Sequence, residues 1–213
     1  MASFVRLDVR GHGGEQVPNT LVVPMGRIRQ LCILLPGAAY SCDAPLFFYA
    51  TQLMVERGVD VFRVEYFFGY GRGVDEEKLF ADVSAATNAV LDHTPYDRVT
   101  VIGKSLGTLA MTHVFDIERR LRGGAGAVWL TPLLADRRLH ARIASPDRAS
   151  LIVMGTRDPQ YDADHLAQLR AAGHRTLVLE NAGHSLGVEG DLVRTLKMLQ
   201  ETVETVAQFL DRS

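Results

Sequence analysis

Short apolar runs rich in β-branched residues alternate along this chain with longer stretches whose apolar positions recur every three to four residues. The runs occupy residues 29–35 (RQLCILL), 59–65 (VDVFRVE), 98–103 (RVTVIG), 125–131 (AGAVWLT), 150–155 (SLIVMG) and 175–180 (RTLVLE). Most lack strict apolar–polar alternation, the pattern of strands covered on both faces. Between them the periodicity predicts helices over 44–57, 74–93, 106–121, 163–172 and 190–211. Strand then helix, repeated, signals parallel strands with crossover helices. The predicted class is therefore α/β, with a mostly parallel, doubly wound sheet.

Local signals sharpen these boundaries. Asp43 before Ala44-Pro45 is predicted to be an N-cap followed by an early proline. Gly58 and Gly173 stand where helix-ending glycines belong. Ahead of the first parallel run, 3–10 and 20–23 read as a hairpin across Gly11-His12-Gly13-Gly14, supplying antiparallel edge strands. The alternation continues to the end of the chain, so residues 1–213 are expected to form a single domain.

Composition narrows the function. Twenty-three basic residues against 25 acidic ones leave a net charge of −2, with no excess to neutralise phosphates, so no nucleic-acid partner is expected. With 47% hydrophobic and 23% charged residues among 213, a core of ordinary size is expected. Cys32 and Cys42 cannot build a disulfide framework, and no Cys/His cluster has zinc-ligand spacing, so no metal is expected. Arg6, Asp8 and Arg10 lie near the start without a following apolar h-region, so no signal peptide is expected. The longest apolar stretch, 31–42, is broken by Pro36 and Gly37 and is too short to span a membrane. These features predict a soluble, cytoplasmic protein with no membrane partner.

The chemistry concentrates at Gly103-Lys104-Ser105-Leu106-Gly107, a G-x-S-x-G nucleophile elbow between a predicted strand and a predicted helix. A nucleophile on so sharp a turn needs small neighbours two positions away on each side. The turn lifts the Ser105 hydroxyl above the carboxyl edge of the sheet and sets the Leu106 N–H at a helix N-terminus, where it can stabilise an oxyanion. Gly103-Lys104-Ser105 also resembles the tail of a phosphate-binding loop, but that motif needs glycine at 98, where this chain has Arg98.

A serine hydroxyl needs a base, and the base needs an orienting acid. With such elbows the chain order is serine, acid, histidine. Asp158 follows the run 150–155, and His184 follows the run 175–180 in a loop of small residues. Both are expected at the edge of the sheet where Ser105 sits. Asp136, soon after the run ending at Thr131, is the alternative acid, and Asp158 before Pro159 could instead start a turn. Asp162 and Asp164 read as helix caps and His113 as a packed or surface helical residue, while His12, His93, His140, His165 and His174 carry no signal.

The loop from Leu35 to Ser41 is expected to supply the second oxyanion donor, the Ala38 or Ala39 N–H, with Ala38 favoured. His12-Gly13-Gly14 imitates an oxyanion motif but precedes the parallel strands and reads as a turn. The aromatic stretch at 66–73 leaves its strand at the same edge. It forms either an acyl- or aryl-binding wall or packing beneath the following helix. Ala39, Tyr40, Tyr66, Phe68 and Tyr70 are the candidate substrate-contacting residues. Residues 132–149 leave room for one short helix at 134–143 with Arg137, Arg138, His140 and Arg142, too little for a full cap. That helix is either a cationic lid or a solvated face. Cys42 lies beside the oxyanion loop, with nothing nearby to lower its pKa.

With these residues placed, the chain resembles the α/β-hydrolase superfamily, specifically its small, nearly capless dienelactone-hydrolase-like and testis-expressed-protein-30-like members. The resemblance runs from Leu31 to about Asp211 and rests on LLPGAAYS, FRVEYFFGYG, IGKSLGT, GTRDP and NAGHS. It implies Ser105 as nucleophile, Asp158 as acid and His184 as base. It also implies a serine hydrolase acting on carboxylic esters or thioesters of small substrates, without metal or organic cofactor. Pro36 stands where many members carry histidine, and Lys104 where histidine or tyrosine is commoner. Dienelactone hydrolases use cysteine in the elbow, so serine shifts the expectation toward ordinary esters. The same pattern fits a peptidase or acyltransferase, or a non-catalytic binding or scaffold protein on this fold.

Overall fold

Strands with apolar side chains on both faces need helices on both sides, and this arrangement organises the computed structural model, which describes residues 2–66, 73–121, 125–145 and 147–211. Among the described residues one sheet contains β1 (Ala2–Val5), β2 (Asn19–Pro24), β3 (Gln30–Leu35), β4 (Asp60–Val64), β5 (Arg98–Lys104), β6 (Gly126–Leu130), β7 (Ser150–Gly155) and β8 (Arg175–Leu179). Their order is β1-β2-β4-β3-β5-β6-β7-β8. β1 pairs antiparallel with β2, and β2 antiparallel with β4; every later pairing is parallel.

Helices α1 (Pro45–Glu56) and α6 (Leu192–Leu210) cover one face, and α2 (Glu76–His93), α3 (Leu106–Ile117), α4 (Arg137–Ala144) and α5 (Ala163–Ala171) the other. The pleat sends neighbouring strand residues into different cores. Leu31, Ile33 and Leu35 join Leu79, Val83 and Met111 on one side, whereas Cys32 and Leu34 join Phe47, Met54 and Val206 on the other. Continuous apolar runs are thus alternating strands with two dry faces. None of the described helices is long and apolar enough to cross a membrane.

Strand order reverses between β3 and β5: the chain leaves β3 for β4 on one side and returns to β5 on the other. At such a switch point the two outgoing loops diverge and leave a crevice at the carboxyl ends. Register brings those ends level, pairing Leu35 with Gly103 and Lys104 with Leu130.

Several boundaries differ from the sequence expectation for local reasons. Asp43 does not cap α1; its carboxylate pairs with Arg63, and Ala44 is the N-cap. The Tyr40 hydroxyl instead accepts from the Leu46 N–H at 2.9 Å. α2 and α6 begin later than predicted because Asp75 and Asp191 cap them, accepting from Lys78 N at 3.0 Å and Arg194 N at 2.9 Å. α3 stops at Ile117 and not at 121, since Glu118 turns to an extended conformation and its carboxylate accepts from the Arg120 backbone. Gly58 and Gly173 end their helices in the left-handed region, at φ +74° and +92°.

The hairpin expected across Gly11–Gly14 forms, but its first strand ends at Val5 and not at Arg10. The reason is Asn19, whose buried amide enters the ladder in place of backbone. Its Oδ1 accepts from Leu7 N at 3.0 Å, and its Nδ2 donates to Leu7 O and Val17 O, each at 2.9 Å. β2 lies between β1 and β4, so of the two hairpin strands β1 alone is at an edge.

Replacing Asn19 with alanine leaves the Leu7 and Val17 groups without these partners. The expected loss is about 2–4 kcal/mol of unfolding free energy, from buried polar groups left unpaired. A urea midpoint shift in Asn19→Ala at unchanged slope checks it.

Candidate active site

Ser105 is held in a backbone conformation that a non-glycine residue rarely adopts, φ +51° and ψ −115°. Such strain costs on the order of 1–3 kcal/mol and persists only where surroundings enforce it. Here the Ser105 N–H donates to Leu130 O at 3.0 Å, and its carbonyl accepts from Thr108 N at 2.8 Å. The flanking glycines allow the approach. A Cβ on Gly103 would overlap the Met111 sulfur, and one on Gly107 would overlap the Leu35 carbonyl oxygen.

The structure brings Ser105, His184 and Asp158 together. His184 Nε2 lies 2.8 Å from Ser105 Oγ, and Nδ1 lies 2.8 Å from Asp158 Oδ2. A carboxylate can only accept, so Nδ1 carries the hydrogen and Nε2 is free to accept from the serine hydroxyl. The Asp158 side chain is fully buried, and its Oδ1 accepts from Gln160 N at 2.9 Å. His184 and Ser105 are both partly exposed.

The loops carrying the acid and the histidine are laced together. Arg157 N donates to Ala182 O at 2.9 Å, and Asn181 N to Thr156 Oγ1 at 2.8 Å. Gly155 lies against the Ala182 carbonyl so closely that a Cβ would overlap it. Asp136, the alternative acid, is elsewhere: it caps α4, accepting from Arg138 N at 2.8 Å and Leu139 N at 3.1 Å. Its guanidinium partner Arg138 holds its carboxyl below the usual carboxylate range. Asp162 caps α5 as expected, through His165 N at 2.9 Å, and Asp164 lies in that helix's first turn.

Leu106 is the first residue of α3, where backbone N–H groups have no carbonyl one turn earlier. The loop bearing Ala38 and Ala39 lies beside the elbow, for a Cβ on Gly37 would be 3.4 Å from Ser105 Cβ. Ala38 is half-buried and Ala39 exposed. Tyr66 is buried beneath that loop, its hydroxyl donating to Pro36 O at 2.6 Å. It braces the loop from below and does not stand as an open wall. Phe68 and Tyr70 lie outside the described residues.

The sequence reading attached no role to Lys104, yet the structure buries it in the site at 2% exposure. Its Nζ donates to Thr131 Oγ1 at 3.0 Å and to the His184 carbonyl at 2.8 Å. Tyr40 turns its ring toward the same ammonium, 4.9 Å from the ring centroid. Burial lowers the Lys104 pKa to about 8, against the opposing attraction of Asp158. The available signal was a lysine closing an otherwise apolar strand of a doubly covered sheet.

The predicted short helix starts at Arg137 and not at 134, because Asp136 caps it. Two of its arginines are ion-paired, Arg142 with Asp116 and Asp147, and Arg138 with Asp136 and Glu76, while Arg137 is exposed. His113 is a packed helical residue, stacked on Phe80 and 2.9 Å from Ser84 Oγ. Burial pushes the Cys42 thiol up to about 12. A cavity of about 590 Å³ opens at the other end of the sheet, between Gln30, Arg98 and Arg148, and holds none of the three triad-forming side chains.

This chain has the α/β-hydrolase fold. It is similar over 99% of its length to an esterase from Pyrococcus furiosus, at 16% identity, 91% coverage of that chain and a TM-score of 0.74. A predicted CIB-like hydrolase from Thermoplasma acidophilum matches at 16% identity over 98% of this chain and 99% of its own, with a TM-score of 0.68. An α/β serine hydrolase without a lid from Xanthomonas campestris matches at 16% identity over 99% and 94%, also at 0.68. No protein-family model and no curated protein matches the sequence.

Gly155→Ala tests the lacing of the two loops. Its methyl group must displace the Ala182 backbone, and overpacking of this kind costs about 1–3 kcal/mol. Chemical denaturation should show that loss; an unchanged midpoint would mean the loops separate freely.

Proposed function

We propose that this protein is a serine hydrolase that cleaves carboxylic ester or thioester bonds of small substrates through Ser105, His184 and Asp158. The observation that carries the reading is the pair of 2.8 Å contacts made by one imidazole, to a hydroxyl on a strained elbow and to a buried carboxylate. The fold shared with an esterase and a lidless serine hydrolase supports it.

In this scheme Ser105 Oγ attacks the substrate carbonyl carbon while His184 Nε2 takes its proton. The electron pair of the carbonyl moves to oxygen, which the Ala38 and Leu106 N–H groups receive. Asp158 keeps Nδ1 protonated and the ring in plane. Collapse breaks the bond to the leaving alcohol or thiol, which takes the proton from Nε2. An acyl-Ser105 ester remains. Water, deprotonated by the same nitrogen, attacks it, and release of the acid restores the serine. The steps call on no metal or organic cofactor. Ala39 and Tyr40, in the same loop as Ala38, are the proposed substrate-contacting residues.

A fluorophosphonate probe should label the wild type and not Ser105→Ala. On short-chain nitrophenyl esters, Ser105→Ala should lose at least about 10³-fold in kcat/KM and Asp158→Asn about 10²–10⁴-fold. Asp136→Ala should retain turnover within about twofold and lose about 1 kcal/mol of stability, as a lost helix cap does. A folded wild type that resists every fluorophosphonate overturns the reading.

A further inference from the structure

Lys104 occupies the last position of β5, immediately before the nucleophile, and none of the steps above uses it. Burying an ammonium costs several kcal/mol unless its partners compensate, so an apolar side chain of similar length would serve packing better. Its partners come from separate loops: Thr131 after β6, His184 after β8 and the Tyr40 ring after β3. Asp158, after β7, supplies the opposite charge. One ammonium therefore joins the elbow to the loops after β3, β6, β7 and β8.

We propose that Lys104 is a positioning residue for hydrolysis, its ammonium anchoring the backbone of His184 so that the imidazole stays between Asp158 and Ser105 throughout turnover. The inference rests on the hydrolase reading and deepens it. In the free enzyme the ring is held at both ends. Once Ser105 is acylated, its oxygen carries the acyl group and has no hydrogen to donate to Nε2. The ring is then held by Asp158 and by its own backbone, where Lys104 Nζ reaches the His184 carbonyl at 2.8 Å. The backbone on either side is unusual, with Asn181 at φ +66° and Leu186 at φ +60°, so the loop gains from an outside anchor.

The anchor is also titratable. The groups facing it are Asp158 and His184 from the loops after β7 and β8 and Tyr40 from the loop after β3. Burial raises the Tyr40 hydroxyl, so it stays neutral while Lys104, lowered to about 8, loses its proton. Deprotonation leaves Nζ two N–H donors for Thr131 and His184 but removes the charge that strengthens both bonds and faces Asp158, so the anchor is strongest below about pH 8 and weakens above it.

The test measures fluorophosphonate labelling rates and ester hydrolysis between pH 6 and about 9.5 for wild type and Lys104→Met. Misplacing a catalytic group by about an ångström costs about 10²-fold, so the variant should lose about 10–100-fold in labelling rate and kcat, with KM within about threefold. Wild-type rates should fall above about pH 8, and that step should be absent from the variant. A folded variant labelled within twofold of wild type overturns the proposal. If Lys104→Met does not fold, Lys104→Gln, which also removes the charge, replaces it and is read by the same criteria. A wild type unlabelled at every pH removes the hydrolase reading and the anchor with it, whereas equal labelling of both proteins removes the anchor alone.

Discussion

The approach of α3 to the end of β3 sets the geometry of the whole carboxyl edge. Gly107 faces the Leu35 carbonyl with no space for a side chain, and Gly103 faces the Met111 sulfur in the same way. With both contacts closed, the chain between them can only turn sharply, and Ser105 is pushed to φ +51°. The strain is small against the burial that enforces it: Met111, Ala110 and Val114 of α3 are in the dry core with Ile33 and Leu35 of β3. The packing of a helix on a strand thus aims a hydroxyl at the crevice where strand order reverses.

Electrostatics in the site follow from how little water reaches its floor. Asp158 and Lys104 are both buried, and each alone would be costly. Together with His184 they form an alternating set in which every polar atom described has a partner: Gln160 N and His184 Nδ1 on the carboxylate, Thr131 Oγ1 and His184 O on the ammonium. In such surroundings hydrogen bonds are strong and directional, and breaking one member exposes the others to the full desolvation cost. Of these three the histidine alone keeps partial exposure, as the proposed proton transfers to and from substrate and water require.

Much of this was legible along the chain. The apolar runs located every parallel strand, since a sheet covered on both faces needs little but apolar residues. The G-x-S-x-G turn, GTRDP and NAGHS pointed to Ser105, Asp158 and His184, because small residues and strand ends leave a local trace. Helix starts were less legible: Asp43 and Asp75 look alike in sequence, yet Asp43 is drawn to Arg63 and Asp75 caps its helix. Likewise β1 ends where the side chain of Asn19, distant in sequence, replaces the backbone ladder.

Local chemistry in the sequence therefore determined the class of fold, the positions of the parallel strands and the strained elbow at Ser105, because each depends on residues within a few positions of one another. Tertiary structure alone set Asp158 and not Asp136 against His184, put Tyr66 beneath Pro36, and turned Lys104 inward to the carbonyl of His184. Those outcomes join segments 26 to 80 residues apart. They are settled by which loops the parallel register brings to the same edge, and no short stretch of sequence contains that information.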